Sequence, residues 1–404
     1  MEAINHAENY LRNKAKSTEQ PYQIDISNDV ISISCDNQKM FGHIRIEKIL
    51  HSAFQKSLGL SEKQSRHCAI IHTPAFSSDS DAQKLLPMLC YFALRQARIW
   101  HCENIIFSTK DNLNTVRTLS ALLRLEPVVH LPQISAQRLN YAIHHAYEAC
   151  DQTQRDVIQT YFVHEILDTF KSWVTQLFHD SWFSAVKTRS LSKEQYISTL
   201  FNLHAFVKYT TRLAARCVAI CETRDLRNHY IHHLKGEINH EVIIESDLKA
   251  LRADVDYLLQ SYVPHTATGE FIVLQESIVS FKQDAVLMLA CPFVAEGMTA
   301  NITNAFVEDL HATIKSWGVK SPESVSRFLT SHMKTDGGDD GHWTRVIMMM
   351  DKYIKTENQH QQFLHILGLA MSGYAHGLNA NIDDLELWRS QQTVVTSVKD
   401  EALV

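Results

Sequence analysis

Glycine and proline are scarce in this sequence, with 12 and 8 among its 404 residues. Because both residues interrupt helices and form turns, their scarcity predicts long helices with few tight turns. The eight cysteines form no Cys-x-x-Cys pair, and we expect reduced, mostly buried thiols and a cytoplasmic location. Cys217 and Cys221 lie one helical turn apart. This spacing is compatible with a nucleophile and its neighbour, or with two cysteines packed in the core.

The sequence also lacks a basic excess and a long apolar run. Its 39 Lys and Arg residues are outnumbered by 45 Asp and Glu, for a net charge of −6. This balance provides no basic surface for nucleic acid. No apolar run has the length of a membrane span, and the first residues are too polar for a secretory signal. We therefore expect neither a nucleic-acid nor a membrane partner, and a homodimer is compatible with the sequence.

The pattern of apolar residues changes near residue 150. Residues 1–150 mix strand and helix patterns, with strands expected at 22–27, 30–36, 68–74, 104–109 and 126–132 and helices at 81–100 and 112–125. Residues 151–390 have helical periodicity almost throughout, and residues 391–404 form a polar tail. The predicted fold class is α+β: an α/β domain at 1–150 followed by an all-α domain at 151–390.

One predicted helix, at residues 225–259, carries imidazoles and carboxylates on one face. Glu237 and His240 are three residues apart, a spacing at which both side chains can bind one metal ion. The same helical stripe contains further candidates: Glu222, His229 and His233. A solvated charged face has a similar composition, and more acidic and imidazole groups crowd the region: His232, Glu241 and Glu245.

A second cluster lies in FLTSHMKTDGGDDGHW, residues 328–343. His332 and Asp336 are four residues apart and share a helical face. We predict a bulge at the following Gly-Gly pair, 337–338, that turns His342 back toward this face. The alternative is a surface turn between two helices. Two helices that each offer carboxylate and imidazole are typical of non-haem iron sites in helical bundles.

These two clusters resemble the haem-oxygenase-like di-iron oxidase/oxygenase superfamily, which shares its seven-helix fold with thiaminase II. The segment HHLKGEINHEVIIESDLKAL is similar to the second metal helix of that family, and HMKTDGGDDGHW to its third. Glu296, 56 residues after His240, lies where the family has a carboxylate on an intervening helix. The resemblance covers roughly residues 155–385.

The resemblance implies two iron ions that activate O2 to oxidise a small organic substrate. The implied metal ligands are Glu237, His240, Glu296, His332, Asp336 and His342. His342 follows Asp336 at a longer spacing than usual, so that Asp339 or Asp340 is an alternative ligand. The family's first metal helix usually supplies a Glu. The corresponding residues 201–211 contain no carboxylate, and the candidate ligand among them is His204. Either His204 is a ligand, or one iron is bound tightly and the other weakly.

Two other functions are compatible with the same clusters. One is a metal-free hydrolase similar to thiaminase II. The other is a non-catalytic protein that binds a metal or another ligand through a histidine-rich face.

Residues 68–131 resemble the core of GNAT-family N-acetyltransferases, with Asn112 and Asn114 in a turn where such enzymes often have Asn. The loop expected to bind the pyrophosphate of acetyl-CoA, PAFSSDSDAQ, contains two Asp and no Gly. Backbone N–H groups must approach a bound phosphate closely, and acidic side chains repel it. We therefore predict a degenerate, non-acetylating domain, with an unrelated α/β domain as the alternative.

Overall fold

The structure is a computed structural model that describes most of the chain. The described residues are 2–17, 22–27, 29–34, 39–49, 68–100, 102, 104–108, 118, 121–123, 133–337 and 341–385. Asn112, Asn114, Asp339, Asp340 and the predicted polar tail lie outside them. So do the predicted strand at 126–132 and most of the predicted helix at 112–125.

The strands form one mixed sheet near the start of the chain. They are β1 (Gln23–Ser27), β2 (Val30–Ser34), β3 (Met40–Ile49), β4 (Cys68–Ile71), β5 (Ala75–Phe76), β6 (Asn104–Phe107) and β7 (Gln133–Ser135). Their order is β1-β2-β3-β4-β6-β7, with β5 also paired to β3. Only β4 and β6 are parallel among the described pairs. The longest strand, β3, was absent from the sequence prediction.

The rest of the described chain is mainly helical, so the fold is α+β, as predicted. The helices are α1 (Glu2–Ser17), α2 (Asp79–Ile99), α3 (Ala136–Glu148), α4 (Gln152–Gln159), α5 (Phe162–Leu177), α6 (Ser181–Lys187), α7 (Lys193–Ile220), α8 (Arg224–Glu237), α9 (His240–Ala250), α10 (Val255–Gln260), α11 (Thr266–Ser277), α12 (Ala285–Met288), α13 (Ala290–Ala300), α14 (Asn304–Ser316), α15 (Arg327–Asp336), α16 (His342–Tyr353) and α17 (Glu357–Asp383). A π-helical turn, Ile278–Lys282, and a 3₁₀ turn, Pro322–Val325, complete the described elements.

The chain divides into two compact units. The smaller unit comprises residues 12–168 and 355–361, and the larger unit comprises residues 1–11, 169–354 and 362–404. The sheet lies in the smaller unit. The larger unit is helical and has an apolar core in which side chains such as Phe183, Ile244 and Leu310 are almost fully buried. The division predicted from the sequence lies near residue 150.

A break between α8 and α9 separates Glu237 from His240. Asn239 adopts a left-handed conformation (φ 68°), which Asn tolerates better than most residues. The backbone therefore changes direction, and Glu237 ends one helix while His240 begins the next. The prediction of one continuous helix over residues 225–259 is wrong.

A second break separates Asp336 from His342. Gly337 has an extended conformation (φ −84°, ψ 165°) and ends α15, and α16 begins at His342. The prediction of a bulge inside one helix is therefore wrong, and the alternative of two helices is the one observed. Glycine is a poor helix former, which is consistent with helix termination at this point.

The lengths and hydropathies of the described helices bear on whether any of them spans a membrane. No single one is both long and apolar enough to cross a bilayer. The segments 285–300 and 304–316 reach the required length and composition only together, and they are bent by 76° relative to each other.

A buried ion-pair network lies in the smaller unit. Glu165 accepts hydrogen bonds from Nε of Arg95 at 2.9 Å and from Nε of Arg98 at 2.7 Å. The nearest nitrogen of the buried His360 lies 3.6 Å from the same carboxylate. Burial alone would raise the pKa of Glu165, but the two guanidinium groups outweigh burial and hold the pKa at about 2.

We predict that Glu165→Gln destabilises the smaller unit by about 3–5 kcal/mol, because Arg95, only 2% exposed, would lose its nearest carboxylate and keep only the half-exposed Asp168 at 3.9 Å. The folded-state pKa is depressed, so the wild-type contribution is complete above the ordinary pKa of 4.5 and is lost as pH falls toward 2. Urea unfolding at several pH values measures both effects. The exposed Glu148→Gln is the control, and equal stability of the two variants would contradict the prediction.

Candidate metal centre

Five helices of the larger unit bring potential metal ligands together. Helix α8 contributes His233 and Glu237, α9 contributes His240, and α13 contributes Glu296. The remaining side chains come from α15 and α16: His332, Asp336 and His342. Four of these residues are at least 92% buried: Glu237, Glu296, His332 and His342. Asp336 is more deeply buried, at 1% exposed.

The first group of donors consists of His233, Glu237, Glu296 and His342. One potential ligand atom from each lies within 4.8 Å of the others. Nδ1 of His233 is 3.1 Å from Oε1 of Glu296, and Nδ1 of His342 is 3.9 Å from Oε1 of Glu237. Two imidazoles and two carboxylates at these distances surround a space suited to a divalent metal ion.

The second group consists of Glu237, His240 and His332. Nδ1 of His240 is 3.1 Å from Oε2 of Glu237 and 3.0 Å from Nε2 of His332. The two carboxylate oxygens of Glu237 thus face different groups, Oε1 toward His342 and Oε2 toward His240. A carboxylate in this position is able to bridge two metal ions.

The orientation of His332 is fixed by its own helix. Its Nδ1 lies 2.9 Å from the carbonyl oxygen of Phe328, a geometry in which Nδ1–H donates to the carbonyl. The lone pair of Nε2 is then directed toward the second group. Metal-binding histidines in proteins are commonly held this way, because the hydrogen bond selects the ring tautomer.

Asp336 lies beside the first group. Thr299 donates a hydrogen bond of 2.6 Å to Oδ2 of Asp336. The other oxygen, Oδ1, lies 3.5 Å from Nδ1 of His342. Asp336 is therefore placed either to bind a metal through Oδ1 or to orient His342.

Several buried polar atoms of the centre make no well-oriented hydrogen bond among the described residues, although Nδ1 of His233 lies 3.1 Å from Oε1 of Glu296 and Nδ1 of His342 lies 3.5 Å from Oδ1 of Asp336. They are Oε1 and Oε2 of Glu296, Oδ1 of Asp336 and Nδ1 of His342. Buried polar atoms are rarely left unsatisfied in native proteins, and a bound ion is one of the usual reasons. The donor set is composed of imidazoles and carboxylates, which suits iron. The residues present therefore fit a metal centre.

The charges of the buried groups compensate one another. Burial raises the pKa of Glu296. Burial alone would lower the pKa of His233, but the Glu296 carboxylate outweighs it and raises that pKa to about 9. For Glu237, the hydrogen bond from His240 and the nearby imidazoles overcome burial and hold the pKa at about 2. A metal cation would stabilise the same carboxylates.

Two histidines have a different relation to the centre from the one predicted from the sequence. His204, considered as a ligand from α7, lies in neither donor group, and its Nε2 is 3.3 Å from Oε1 of Glu245. This geometry does not support His204 as the replacement for a first-helix glutamate. His233 belongs to the first group but was not selected as a ligand. Its position on the same helical stripe as Glu237 was the signal that could have identified it.

A cavity of about 70 Å³ adjoins the donor residues. Its polar wall includes His233, Glu237, Glu296, His332 and Asp336. Most of the remaining wall is apolar: Leu203, Phe206, Val207, Leu213, Ala214, Met288, Cys291, Pro292, Ala295 and Phe328. A small organic molecule bound here would contact the donor residues on one side and hydrocarbon on the other.

Comparisons with known proteins identify likenesses only at the level of structure. No family model matches the chain, and no curated protein matches it. A domain of unknown function with a heme oxygenase-like fold from Shewanella denitrificans OS217 is similar, with a TM-score of 0.49, 18% identity, and coverage of 57% of this chain and 95% of that one. A TenA homologue from Pseudomonas syringae pv. tomato DC3000 has a TM-score of 0.43, 13% identity, and coverage of 55% and 92%. Both scores lie below 0.5, so neither match establishes the family of this chain.

The close approach of His342 to α8 requires a glycine. A Cβ atom at Gly236 would lie 2.7 Å from Cε1 and 2.8 Å from Nε2 of His342. A Cβ at Gly368, an exposed residue of α17, would meet no atom within 4 Å. Gly236 is therefore a positioning residue for the His342 imidazole.

We predict that Gly236→Ala displaces His342 and weakens metal binding at the first group about tenfold or more. Alanine favours helix more than glycine does, so helix propensity is not expected to cause a loss of folding. Titration with Co(II), followed by absorption, measures the affinity, and Gly368→Ala is the matched control. Unchanged Co(II) affinity in Gly236→Ala would show that His342 is not a ligand.

Proposed function

We propose that this chain is a non-haem iron oxidase or oxygenase that holds two iron ions and uses O2 to oxidise a small organic substrate. Each of the two donor groups would hold one ion, and both groups include Glu237. Iron at this centre would supply the activation of O2. The cytoplasmic location and the homodimer remain predictions from the sequence.

The observation that carries this proposal is the position of Glu237 between two sets of imidazoles. Carboxylates shared by two helical ligand sets are a feature of di-iron proteins in helical bundles. The unsatisfied oxygens of Glu296 and Asp336 supply further negative charge on one side of the centre. His240 and His332 supply nitrogen ligands on the other side.

The residues of the chain have separable tasks in this proposal. Glu237, Glu296 and the imidazoles bind the ions. Phe328 and Thr299 orient His332 and Asp336 through hydrogen bonds. The apolar cavity wall limits the access of water to the reacting atoms, which protects reactive species from side reactions.

The metal-free hydrolase alternative has less support, because the cysteine nucleophile that the sequence offers for it would have to be a reactive thiolate. Cys217 and Cys221 are buried, and burial raises the pKa of the two thiols to about 12 and about 11. Burial also raises the pKa of Cys291, which lines the cavity. Thiols with raised pKa values are poor nucleophiles at neutral pH.

We predict that Glu237→Gln loses both iron ions, because each donor group loses its shared carboxylate. His332→Gln should lose mainly the ion of the second group. O2 consumption after anaerobic Fe(II) loading should fall at least tenfold in both variants. The exposed His365→Gln, in α17 of the same unit, is the control.

The two variants distinguish a di-iron centre from a single metal site. Iron analysis should give about two ions for the control, none for Glu237→Gln and one for His332→Gln. If iron content and O2 consumption in all three proteins are the same, the clusters are a polar interior without catalytic metal, and the proposal fails.

For the smaller unit, we propose a degenerate GNAT-like domain without acetyl transfer. The N-terminus of α2, where such a domain would bind pyrophosphate, is occupied by an acidic side chain. Ser77 and Ser78 donate hydrogen bonds of 2.6 and 2.7 Å to Oδ2 of Asp81, and these bonds lower the pKa of Asp81. The helix is capped by Ser78, whose Oγ accepts a hydrogen bond of 3.1 Å from the backbone N–H of Asp81. The Asp81 carboxylate in the first turn is stabilised by the helix dipole and repels phosphate.

We predict that acetyl-CoA does not bind the wild-type protein, because a fixed negative charge occupies the anion-binding end of α2. Calorimetric titration with acetyl-CoA should give no heat beyond dilution. Asp81→Asn, which removes the charge while keeping the shape, tests whether repulsion is the cause. Micromolar affinity in the wild type would contradict the proposal.

A further inference from the structure

Helix α15, which carries His332 and Asp336, is not capped by the residue that precedes it. Ser326 occupies that position, but its hydroxyl makes no capping hydrogen bond and donates instead to the carbonyl oxygen of Pro322 at 3.1 Å. The first backbone N–H groups of a helix need acceptors from outside the helix. The start of α15 therefore depends on another part of the chain for an acceptor.

Asp247 of α9 supplies this acceptor. Its Oδ2 accepts a hydrogen bond of 2.9 Å from the backbone N–H of Phe328, and its Oδ1 accepts one of 3.1 Å from Nε of Arg327. The side chain of Asp247 is 0% exposed, whereas that of Arg327 is 51% exposed. A negative charge beside the first turn of a helix interacts favourably with the helix dipole. The carboxylate thus joins α9 to the beginning of α15.

The complete burial of Asp247 is costly for a charged group. Burial raises the pKa of Asp247, because the ionised form loses its contact with water. Replacement of a buried ion pair by apolar side chains of similar shape is often neutral for stability. Stability alone therefore gives little reason for a carboxylate at this position, and the placement of α15 gives a better one.

Phe328 connects Asp247 to a proposed metal ligand. The carbonyl oxygen of Phe328 lies 2.9 Å from Nδ1 of His332, and the two rings pack with their centroids 4.1 Å apart. The backbone of Phe328 is thus held by Asp247 through its N–H and holds His332 through its carbonyl. A shift of Phe328 would change the direction in which the lone pair of His332 Nε2 points.

Helices α9 and α15 also meet at the second donor group. Nε2 of His332 is 3.0 Å from Nδ1 of His240, the first residue of α9. Asp247 follows His240 by seven residues, about two helical turns, and Phe328 precedes His332 by four, about one turn. The two helices are therefore held together at two levels, one at the ligands and the other at the cap.

We propose that Asp247 is a positioning residue for the second donor group. It caps α15 and fixes Phe328, and Phe328 holds the His332 imidazole with Nε2 directed toward the metal position. This inference rests on the proposed function for the presence of an ion. The orientation of His332, by contrast, is a property of the metal-free protein and can be measured without any ion.

Four variants separate the cap from the ion pair. Asp247→Ala removes both acceptor oxygens, and Asp247→Leu removes them while keeping the branched shape, so that no cavity is left to prevent folding. Asp247→Asn keeps an acceptor for the N–H of Phe328, and the half-exposed Arg327 is free to turn toward solvent. Arg327→Gln removes the ion pair and leaves the carboxylate in place.

The first measurement is hydrogen exchange by NMR in metal-free protein with ¹⁵N-labelled histidine. The Nδ1–H signal of His332 is assigned by its absence in His332→Gln. Exchange should be slow in the wild type, Asp247→Asn and Arg327→Gln. It should be about tenfold faster or more in Asp247→Ala and Asp247→Leu, because the carbonyl acceptor of the imidazole is no longer held in place.

The second measurement is a Co(II) titration followed by absorption. In Asp247→Ala and Asp247→Leu, the affinity for the ion of the second group should fall by about 10- to 100-fold, as expected when a group that orients a metal ligand is lost. The ion of the first group should keep its affinity. Asp247→Asn should restore both affinities, and Arg327→Gln should match the wild type.

Wild-type exchange and Co(II) affinity in Asp247→Leu would overturn the proposal. An equal loss of affinity at both donor groups would also overturn it, because a general disturbance of the fold has that effect. A wild-type protein that binds no Co(II) at the second group rejects the proposed di-iron function instead. The exchange rate of the His332 imidazole then decides by itself whether Asp247 orients that ring.

Discussion

The helical unit depends on the burial of three carboxylates within one apolar bundle. Glu237, Glu296 and Asp336 are each at least 94% buried. A buried carboxylate without compensation costs several kcal/mol, so the bundle requires positive charge or strong donors beside each one. Imidazoles from three helices and the Thr299 hydroxyl supply part of this compensation. A divalent metal shared through Glu237 would supply the rest.

The helix breaks at Asn239 and Gly337 also serve to place partners beside the buried carboxylates. In one straight helix, Glu237 and His240 would share a face at fixed spacing. Ending α8 at Glu237 instead allows the carboxylate to face both His240 and His342. Irregular backbone is thus located where ligands converge, while the apolar packing of long helices such as α7 stays regular.

Much of this arrangement could be predicted from the sequence. Periodicity predicted the helical region. Carboxylate and imidazole spacing singled out Glu237, His240, His332, Asp336 and His342, and the family resemblance added Glu296. Periodicity did not reveal the break at Asn239, because Asn also occurs inside helices. The Gly-Gly pair was compatible with both a bulge and a helix break, and only the structure decided between them. Spacing also could not show that His233, and not His204, belongs to the donor groups. That depends on how the helices pack against one another. The strand at Met40–Ile49 was missed although its sequence carries the signal of a half-buried strand: the buried Ile44 and Ile46 alternate with polar residues.

Anomalous diffraction at the iron edge, from crystals of protein loaded anaerobically with Fe(II), tests the central claim most directly. We expect two peaks, one on each side of the Glu237 carboxylate: one beside His240 and His332 and the other beside His233, Glu296 and His342. Peaks only at surface histidines, or no peak within bonding distance of Glu237, would contradict it.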